Sequence, residues 1–411
     1  MTIPAAHLAY RRRQLILALA ATTASALQPA WAQTTSISWA EIEKAARGQT
    51  VYFNAWAGSE QINAYIQWAA SEILAAHGVK LEHVKISDAA DVVKRVRAEK
   101  AAGRQVGEGT VDLIWINGEN FAAMKREALL GAPFAHSLPN FAYVDTVGKP
   151  TTLSDFSVPT DGLESPWGMA QLTFFADRKR LPQPPQSTAE LLTLARQQPG
   201  RISYPRPPAF HGTTFVKQAL LEHTRDAAAL ARPFTPAAFA TATAPLWAYL
   251  DALHPHLWRG GKQFPASAGA IRQMVSDGEL LIGITFNPNE AANEIAAKRL
   301  PASTTSWQFA KGTVGNTHFV AIPYNAPARA GAMVVANFLL SPKAQARKAD
   351  IQHWGDPTVL DVAKLSAAER ALFNTAPLPG QVEQTAPALP EPHSSWVDPL
   401  EKEWTRRYGG S

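Results

Sequence analysis

The sequence contains no cysteine among its 411 residues. Disulfide bonds, thiolate metal ligands, a cysteine nucleophile and a lipid anchor on cysteine are therefore excluded. Of the residues present, 46% are apolar and 18% are charged, which is typical of a folded globular protein rather than a disordered one. A fold without disulfides has to be stabilised by its apolar core.

The motifs of several large enzyme classes are also missing. There is no G-x-S-x-G nucleophile elbow, no H-E-x-x-H zinc motif, no G-x-x-x-x-G-K-[ST] phosphate loop and no G-x-G-x-x-G dinucleotide fingerprint. The closest histidine pair, His254 and His256, lies in a predicted loop, where such a pair is weak evidence for a metal site. We therefore predict no catalytic residue, no metal and no cofactor.

Long apolar runs are confined to the N-terminus. Arg11 to Arg13 precede an apolar stretch, Leu15 to Leu27, and Ala30-Trp31-Ala32 offers an A-x-A cleavage site, a pattern typical of a signal peptide. The stretch is shorter than the roughly 20 residues of a membrane span. We expect residues 1–32 to be removed and the mature protein to be soluble in the periplasm, after export by the general or the twin-arginine route.

Basic charge is concentrated in that same segment. Without its three arginines the formal net charge falls from +5 to +2. No stripe of basic residues interleaved with stacking aromatics is left elsewhere in the sequence. We therefore predict no nucleic-acid partner.

The first part of the mature chain alternates between strand and helix patterns. Val51–Trp56, Lys80–Ile86 and Val111–Ile116 are predicted strands. Between them, a helix that Ser59 caps carries apolar residues at 62, 65, 66, 69 and 73, and a second helix spans Asp88–Ala102. This β-α-β-α-β order predicts a parallel sheet with helical crossovers.

The chain exceeds the roughly 250 to 300 residues at which one core stops growing, so two lobes are expected. Ser165–Phe175 is predicted to cross between them, and Trp307–Ala310 and Thr317–Tyr324 to return; Arg201–Pro205 and Leu280–Phe286 are predicted strands of the second lobe. The expected order is signal peptide (1–32), first lobe (33–165), crossing strand and second lobe (166–310), return to the first lobe (311–345), and C-terminal helices with a Pro-rich strap (346–411).

Polar residues collect where predicted strands end. Four strands run into helices through the sequences AGSE, NGEN, HGTT and NPNE. In open α/β sheets, ligands bind beyond the carboxyl ends of strands, beside helix N-termini. The same residue types are also ordinary turn and N-cap residues, so a single junction is more often a cap than a binding site. Four junctions accompanied by Trp56, Trp167 and Phe286 are as compatible with a binding site as with caps.

Residues at these junctions are candidates for the walls of a ligand cleft. Tryptophan rings would bury a flat or cationic part of a small ligand, while polar groups and helix ends would bind the rest. Arg206 either pairs with an anion or lies in a solvated turn, and Glu119 either reaches a cation or only favours the first turn of its helix. The candidates are Trp56, Ser59, Asn117, Glu119, Trp167, His211, Thr213, Asn287 and Asn289.

Several segments together resemble a known family. NFLLSPKAQ, Asn337–Gln345, is similar to the late helix and turn of extracellular solute-binding protein family 1, with Lys343 where the common form has Glu. YFNAWAGSEQINAYIQW, DLIWINGENF, ESPWGMAQLTFFADRKRL, YPRPPAFHGTTF, HWGDPTVL and LPEPHSSW resemble the YnjB-type branch of these proteins. The segments are distributed over nearly the whole mature chain.

The resemblance implies an α/β protein with the type II periplasmic-binding-protein fold, in which crossing strands join two lobes around a ligand cleft. It implies a monomeric substrate-binding component of an ABC transporter, which delivers a small solute to an inner-membrane permease and is not an enzyme. Ferric-ion binders of this fold use a neighbouring tyrosine pair, which this sequence lacks. Thiamine and polyamine binders use aromatic walls and acidic groups, with which Trp56, Trp167 and Glu119 are compatible.

Two alternatives remain open from the sequence. A periplasmic hydrolase or lyase would need two carboxylates that converge in the cleft, and the sequence does not show whether two do. A chaperone-like or adhesive protein would use the Pro-rich tail as its binding surface.

Overall fold

The computed structural model describes residues 37–374, 378–382 and 386–409. The predicted signal peptide, residues 1–32, lies outside them. Among the helices that the structure describes, none combines the length and the apolarity needed to cross a membrane.

The predicted β-α-β-α-β unit is present and parallel. After helix α1 (Trp39–Ala46), the chain forms β1 (Thr50–Trp56), α2 (Glu60–His77), β2 (Lys80–Ile86), α3 (Ala89–Ala101) and β3 (Leu113–Ile116). β1 lies between β2 and β3 and is parallel to both. The five apolar residues predicted to share one face of α2 are its buried residues, and Ser59 is its N-cap.

The chain then crosses from one sheet to another. Helix α4 (Glu119–Arg126) and the hairpin β4 (Ser154–Asp155) and β5 (Val158–Pro159) lead to β6 (Glu164–Gln171) and β7 (Thr173–Asp177). β6 belongs to the six-stranded first sheet and β7 is the central strand of a three-stranded second sheet. Leu172 alone separates the two strands, which confirms that this segment crosses between the sheets.

The second lobe consists of the three-stranded sheet and the helices around it. Its elements are α5 (Thr188–Gln197), α6 (Phe210–His223), α7 (Ala227–Leu230), α8 (Pro236–Leu253), α9 (Ala268–Ser276), β8 (Gly283–Thr285), α10 (Glu290–Ala296) and β9 (Thr304–Trp307). β7 is antiparallel to β8 and to β9.

The chain then returns to the first sheet and ends in the second core. The remaining elements are β10 (Thr313–Ala321), α11 (Arg329–Leu339), α12 (Pro342–Ala349), α13 (Ala367–Ala371), β11 (Ala388–Pro390) and α14 (Val397–Tyr408). β10 pairs antiparallel with β3 and β6 and parallel with β11. The three buried residues Trp396, Leu400 and Trp404 pack into the core of the second lobe.

The structure corrects some predicted strand limits. Arg201–Pro205 is extended but is not a strand; the Arg201 carbonyl accepts from the Leu281 amide at 2.8 Å instead of joining a ladder. β3 begins two residues later than predicted. Just before it, the Asp112 amide donates to the carbonyl of Tyr52 at 3.3 Å, and the Asp112 carboxylate accepts from the amides of Tyr52 and Ala328 at 2.9 and 2.7 Å.

Candidate functional site

All four predicted junctions join the end of a strand or extended segment to a helix start. Packing places them against each other across the two lobes. The Phe156 ring covers the turn at Gly118, just before α4, and the ammonium group of Lys217 on α6 lies 4.3 Å from the centroid of that ring. The Trp354 ring meets Tyr65 of α2 at a centroid distance of 5.4 Å, and the Trp354 carbonyl accepts from the side chain of Asn287, just before α10, at 3.4 Å. The start of α4 is therefore next to α6, and α2 is next to the segment before α10.

The junction between β3 and α4 is built around a glycine. Gly118 has φ +63°, and a Cβ there would lie 2.7 Å from the ring of Phe156. Its amide donates to Asp155 at 2.6 Å. Asn117, just before it, is half-buried. Only glycine allows the backbone to turn this closely beneath the Phe156 ring.

Glu119 follows this turn and lies in a concave part of the surface. Its side chain is exposed to solvent although protein atoms surround it on most sides. Burial by these atoms raises the pKa of Glu119, and the carboxylates of Glu391 and Asp88 raise it further. A carboxylate that solvent reaches inside such an enclosure is accessible to a small ligand.

The junction between β1 and α2 has an exposed tryptophan ring and a serine that caps the helix. Trp56 is 41% exposed, and its ring covers Gly58, where a Cβ would lie 2.1 Å from it. Ser59 accepts from the amide of Ile62 at 3.5 Å and donates to the side chain of Gln61 at 3.1 Å. The structure thus gives Ser59 the role of an N-cap, and its contact with a ligand stays a prediction.

The start of α6 carries aromatic groups into the cleft. Phe210 is 41% exposed and meets Phe286 edge-on, with ring centroids 5.1 Å apart. His211 is half-buried, and burial lowers its pKa to about 4. Thr213 is 4% exposed and donates to Glu401 of α14 at 2.7 Å. Near neutral pH this junction therefore presents aromatic and uncharged groups.

The junction before α10 is bonded to the first lobe. Asn287 accepts from the Asn289 amide at 3.0 Å, and its own amide group donates to the carbonyl of Trp354 at 3.4 Å. The Asn289 side chain donates to the carbonyl of Gly355. Trp354 belongs to the core of the first lobe. Asn287 and Asn289 thus connect the two lobes in this conformation.

Trp167 is not on the wall of the cleft. It is fully buried, and its ring meets those of Trp115 and Trp354 edge-on, at centroid distances of 5.0 and 5.5 Å. The ammonium group of Lys348 lies 4.1 Å from its ring centroid and donates to its carbonyl at 2.9 Å. The side chain fills the core of the first lobe because it lies on the covered face of β6, so the prediction that it lines the cleft is corrected.

Sequence reasoning missed a buried charged cluster beside the cleft, formed by Phe156, Lys217 and Glu391 and called here the Lys217 cluster. Lys217 and Glu391 form an ion pair of 2.6 Å, with each side chain 2% exposed. The Lys217 ammonium group also lies 4.3 Å from the centroid of the Phe156 ring. The three residues belong to three distant segments of the chain, and no local pattern in the sequence signals that they meet.

The same cluster ties the C-terminal segment to the first lobe. Ser157 donates to the carbonyl of Glu391 at 2.9 Å, and the amide of Ser394 donates to the carbonyl of Phe156 at 3.0 Å. Within the described ranges, no group of three or more histidine and carboxylate side chains is arranged to hold a metal ion.

Comparisons with known proteins agree with this geometry. A family model described as bacterial extracellular solute-binding protein matches residues 68–374. Over 371 residues the chain is 51% identical to Protein YnjB of Escherichia coli (strain K12), covering 90% of this chain and 94% of that protein.

Solved structures show the same fold at low sequence identity. The periplasmic binding protein AfuA from Actinobacillus pleuropneumoniae, with fructose-6-phosphate bound, superposes with a TM-score of 0.60 at 17% identity, covering 89% of this chain and 100% of that one. The spermidine/putrescine ABC transporter substrate-binding protein PotD from Streptococcus pneumoniae gives 0.60 at 13% identity, covering 88% and 98%. These similarities confirm the predicted periplasmic-binding-protein fold with its two lobes, and the sequence matches assign the chain to the bacterial extracellular solute-binding proteins.

Proposed function

We propose that this protein is the substrate-binding component of an ABC transporter, which captures a small solute in the periplasm and delivers it to an inner-membrane permease. The observation that carries the proposal is the arrangement of the helix starts. The start of α4 lies next to α6 across Phe156, α2 lies next to the segment before α10 across Trp354, and the chain crosses between the two sheets at Leu172. Solute-binding family membership supports the same role.

The mechanism is recognition without turnover. A solute that touches both lobes stabilises the closed arrangement by the difference between its affinities for the closed and open forms. Hydrolysis of ATP belongs to another subunit of the transporter, since this sequence has no phosphate loop. Family membership gives no support to the hydrolase or lyase alternative.

The proposed cleft residues are those that the junctions present to solvent. Trp56, Asn117 and Glu119 form the wall on the first lobe, and His211 lies on the second. Ser59, Thr213, Asn287 and Asn289 are retained as candidates, and each also has a partner within the protein. Phe210 joins them, since its ring is as exposed as that of Trp56.

The proposed organisation along the chain follows the two cores. The first lobe comprises 33–165 and 311–345, and the second comprises 166–310. The segment 346–411 is shared, because Trp354 packs in the first core and Trp404 in the second. We propose that residues 1–32 direct export and that the protein acts as a monomer.

The solute is not fixed by the fold. Structural neighbours include a protein with bound fructose-6-phosphate and a spermidine/putrescine binding protein, and these ligands carry opposite charges. The first experiment is therefore native mass spectrometry of protein purified gently from the periplasm, where a closed cleft retains its solute. A retained or enriched small molecule is the expected result, and purification with no solute under any loading condition would contradict the proposal.

Trp56→Ala tests where the solute binds. We expect roughly a tenfold loss of affinity for the retained solute, because the substitution removes an exposed ring from the cleft wall. Tyr52→Ala is the matched control: Tyr52 lies four residues earlier on the same strand, at its other end, and is 46% exposed. Equal affinities for the wild type and the Trp56 variant would show that the solute binds elsewhere.

A further inference from the structure

Two carboxyl groups are buried beneath the start of α4. Asp155 of β4 and Glu164 of β6 are each 1% exposed. Glu164 is paired with Ala321 of β10, and directly opposed residues of neighbouring strands point to the same face of a sheet. Ala321 packs with Phe121 and Met124 of α4. The Glu164 side chain therefore lies in the apolar layer between the first sheet and α4.

Most of the oxygen atoms of these two carboxyl groups have no hydrogen-bond partner. One Asp155 oxygen accepts from the amide of Gly118 at 2.6 Å. The other Asp155 oxygen and both Glu164 oxygens have no partner among the described residues. Buried acceptors without a partner are rare, and an ionised carboxylate in an apolar layer lacks the solvation that stabilises its charge. The pair therefore needs a positive charge.

The basic side chains nearby are engaged elsewhere. Within the described part of the chain, neither Asp155 nor Glu164 forms an ion pair. The charge of Lys125 acts on Glu164, but its ammonium group donates to the carboxylate of Asp161 at 2.6 Å. The charge of Lys217 acts on Asp155, but its ammonium group is paired within the Lys217 cluster. No basic side chain of the described residues thus neutralises the pair by contact.

A proton fits the pair better than a metal ion. Calcium takes about six to eight oxygen ligands, and the described residues contain no group of three or more histidine and carboxylate side chains arranged to hold a metal. The Gly118 amide also occupies one Asp155 oxygen. A proton needs no further ligands, and two carboxyl groups that share a buried site retain one because they cannot both ionise.

Glu164 is better placed than Asp155 to carry this proton. Burial raises the pKa of its carboxyl group, the charge of Asp155 raises that pKa further, and the charge of Lys125 offsets part of the rise. Among the described residues, no amide or hydroxyl group donates to either Glu164 oxygen. The charged form of Glu164 is therefore the less stabilised of the two.

Asp155 connects the pair to the cleft. Burial raises its pKa, and the hydrogen bond from the Gly118 amide lowers it. The charges of Glu119 and Glu391 raise the pKa of Asp155 and the charge of Lys217 lowers it. Because Glu119 directly follows Gly118, a change at Asp155 is transmitted to the residue that the turn directs into the cleft.

We propose that Asp155 and Glu164 form a proton-binding site beneath the cleft, occupied near neutral pH and emptied in alkaline solution. When the proton leaves, two negative charges repel each other in the apolar layer, and the Asp155 carboxylate that accepts from Gly118 is displaced. Solute binding then weakens as the pH rises, since Glu119 moves with the turn. This last consequence rests on the proposed function, whereas the proton site does not.

Infrared spectroscopy of the full-length protein tests the site directly. A protonated carboxyl group has a C=O absorption that a carboxylate lacks and that shifts in heavy water. We expect the wild type to show this absorption at pH 7.5 and to lose it in alkaline solution. Glu164→Gln should reduce the absorption by the area of one carboxyl group, whereas Asp155→Asn should shift its frequency and keep its area.

The control is Asp161→Asn, which removes an exposed carboxylate between the two residues in the chain. It should leave the absorption unchanged, and chemical unfolding verifies that each variant folds. Absence of the absorption in the wild type at pH 7.5, a result that needs no variant, would overturn the proton site. So would an unchanged absorption in Glu164→Gln, or a calcium or magnesium ion that native mass spectrometry finds in the wild type and not in Glu164→Gln.

Calorimetry with the retained solute tests the connection to the cleft. The affinity of the wild type should fall by as much as about tenfold for each pH unit beyond the pH at which the absorption is lost. Glu164→Gln should keep its affinity to higher pH. Equal pH profiles would overturn the connection and leave the proton site standing. A wild type that retains no solute would instead contradict the proposed function, and the infrared result would be unaffected.

Discussion

At the scale of single residues, the turn before α4 depends on Gly118. Its φ of +63° and ψ of −130° are unfavourable for any residue with a Cβ, and Phe156 occupies the space that a Cβ would need. The same backbone turn determines where Glu119 enters the cleft. Gly118 therefore matters both to stability and to the geometry of the proposed site.

We predict that Gly118→Ala lowers the free energy of unfolding by about 1–3 kcal/mol, the usual cost of a strained backbone conformation. Urea unfolding measures the change. Gly269→Ala is the control, because Gly269 lies exposed in α9 and the nearest atom to its Cβ would be 3.7 Å away. There, alanine should be neutral or stabilising by about 0.5–1 kcal/mol. Equal effects at the two sites would contradict the strain argument.

His211 predicts a pH dependence of stability. Burial lowers its pKa from 6.5 to about 4 in the folded protein. As the pH falls below 6.5, the unfolded chain binds a proton that the folded chain does not, so the free energy of unfolding decreases down to about pH 4. The loss is at most about 1.4 kcal/mol per pH unit, and less here because solvent reaches part of the ring.

The substitution His211→Gln should make this decrease less steep without abolishing it, since burial also lowers the pKa of His254 to about 4. Chemical unfolding between pH 4 and 7.5 measures the slope. At pH 7.5 neither histidine is charged. The difference in the free energy of unfolding between the wild type and His211→Gln at that pH is therefore the part of the effect that does not depend on pH. An unchanged slope would show that His211 is not protected from protonation.

At the scale of helices and strands, the sequence pattern predicted those elements that form through interactions between residues close in the sequence. α2 was predictable because five apolar residues share one helical face and Ser59 can cap its start, and the structure buries those five and uses that cap. The first strand of the unit was predictable from its apolar run. The sequence could not predict whether Asn287 faces a ligand or the carbonyl of Trp354, because Trp354 belongs to a distant segment.

The Lys217 cluster was still less predictable from the local sequence. Lysine inside an amphipathic helix is ordinarily solvated, and Glu391 lies in a Pro-rich segment with no charge pattern. Their pairing arises only when β11 joins the first sheet beside β10 and brings Glu391 past α6. Trp167 was misplaced for a related reason, since the sequence does not indicate which face of β6 is covered.

We predict that Lys217→Met lowers the free energy of unfolding by about 3–5 kcal/mol, because Glu391 would then be buried without a partner. The double variant Lys217→Met, Glu391→Gln should recover part of the loss, since it leaves no buried charge unpaired. Urea unfolding of the wild type, the two single variants and the double variant forms a complete mutant cycle. Additive losses would show that the two side chains do not interact.

At the scale of the whole molecule, two separately built cores are joined by few connections. The chain crosses between the two sheets at Leu172. The side chains of Asn287 and Asn289 donate to the carbonyls of Trp354 and Gly355. The Lys217 cluster links α6 to the first lobe. The Asn287 contact lies beside the crossing at Leu172, because the carbonyl of Phe286 accepts from the amide of Gln171 at 3.2 Å.

We predict that small-angle scattering shows compaction when the retained solute is added to protein stripped of it, since only the closed form can bind the solute from both sides. Lys217→Met should make the ligand-free protein more expanded and bind the solute more weakly, because it removes a contact that favours closure. Tyr52→Ala serves as a control that leaves both lobes intact. Identical scattering curves with and without solute would contradict closure by the ligand.

The place of α14 in the second core has a consequence for biosynthesis. Trp404 packs beside Tyr204 and donates to its hydroxyl at 2.8 Å, so the middle and the late part of the chain must both be present before this core can form. A ribosome that has made the second sheet and α6 has not yet made the helix that packs against α6. Completion of the second core is thus delayed until the C-terminal helix emerges.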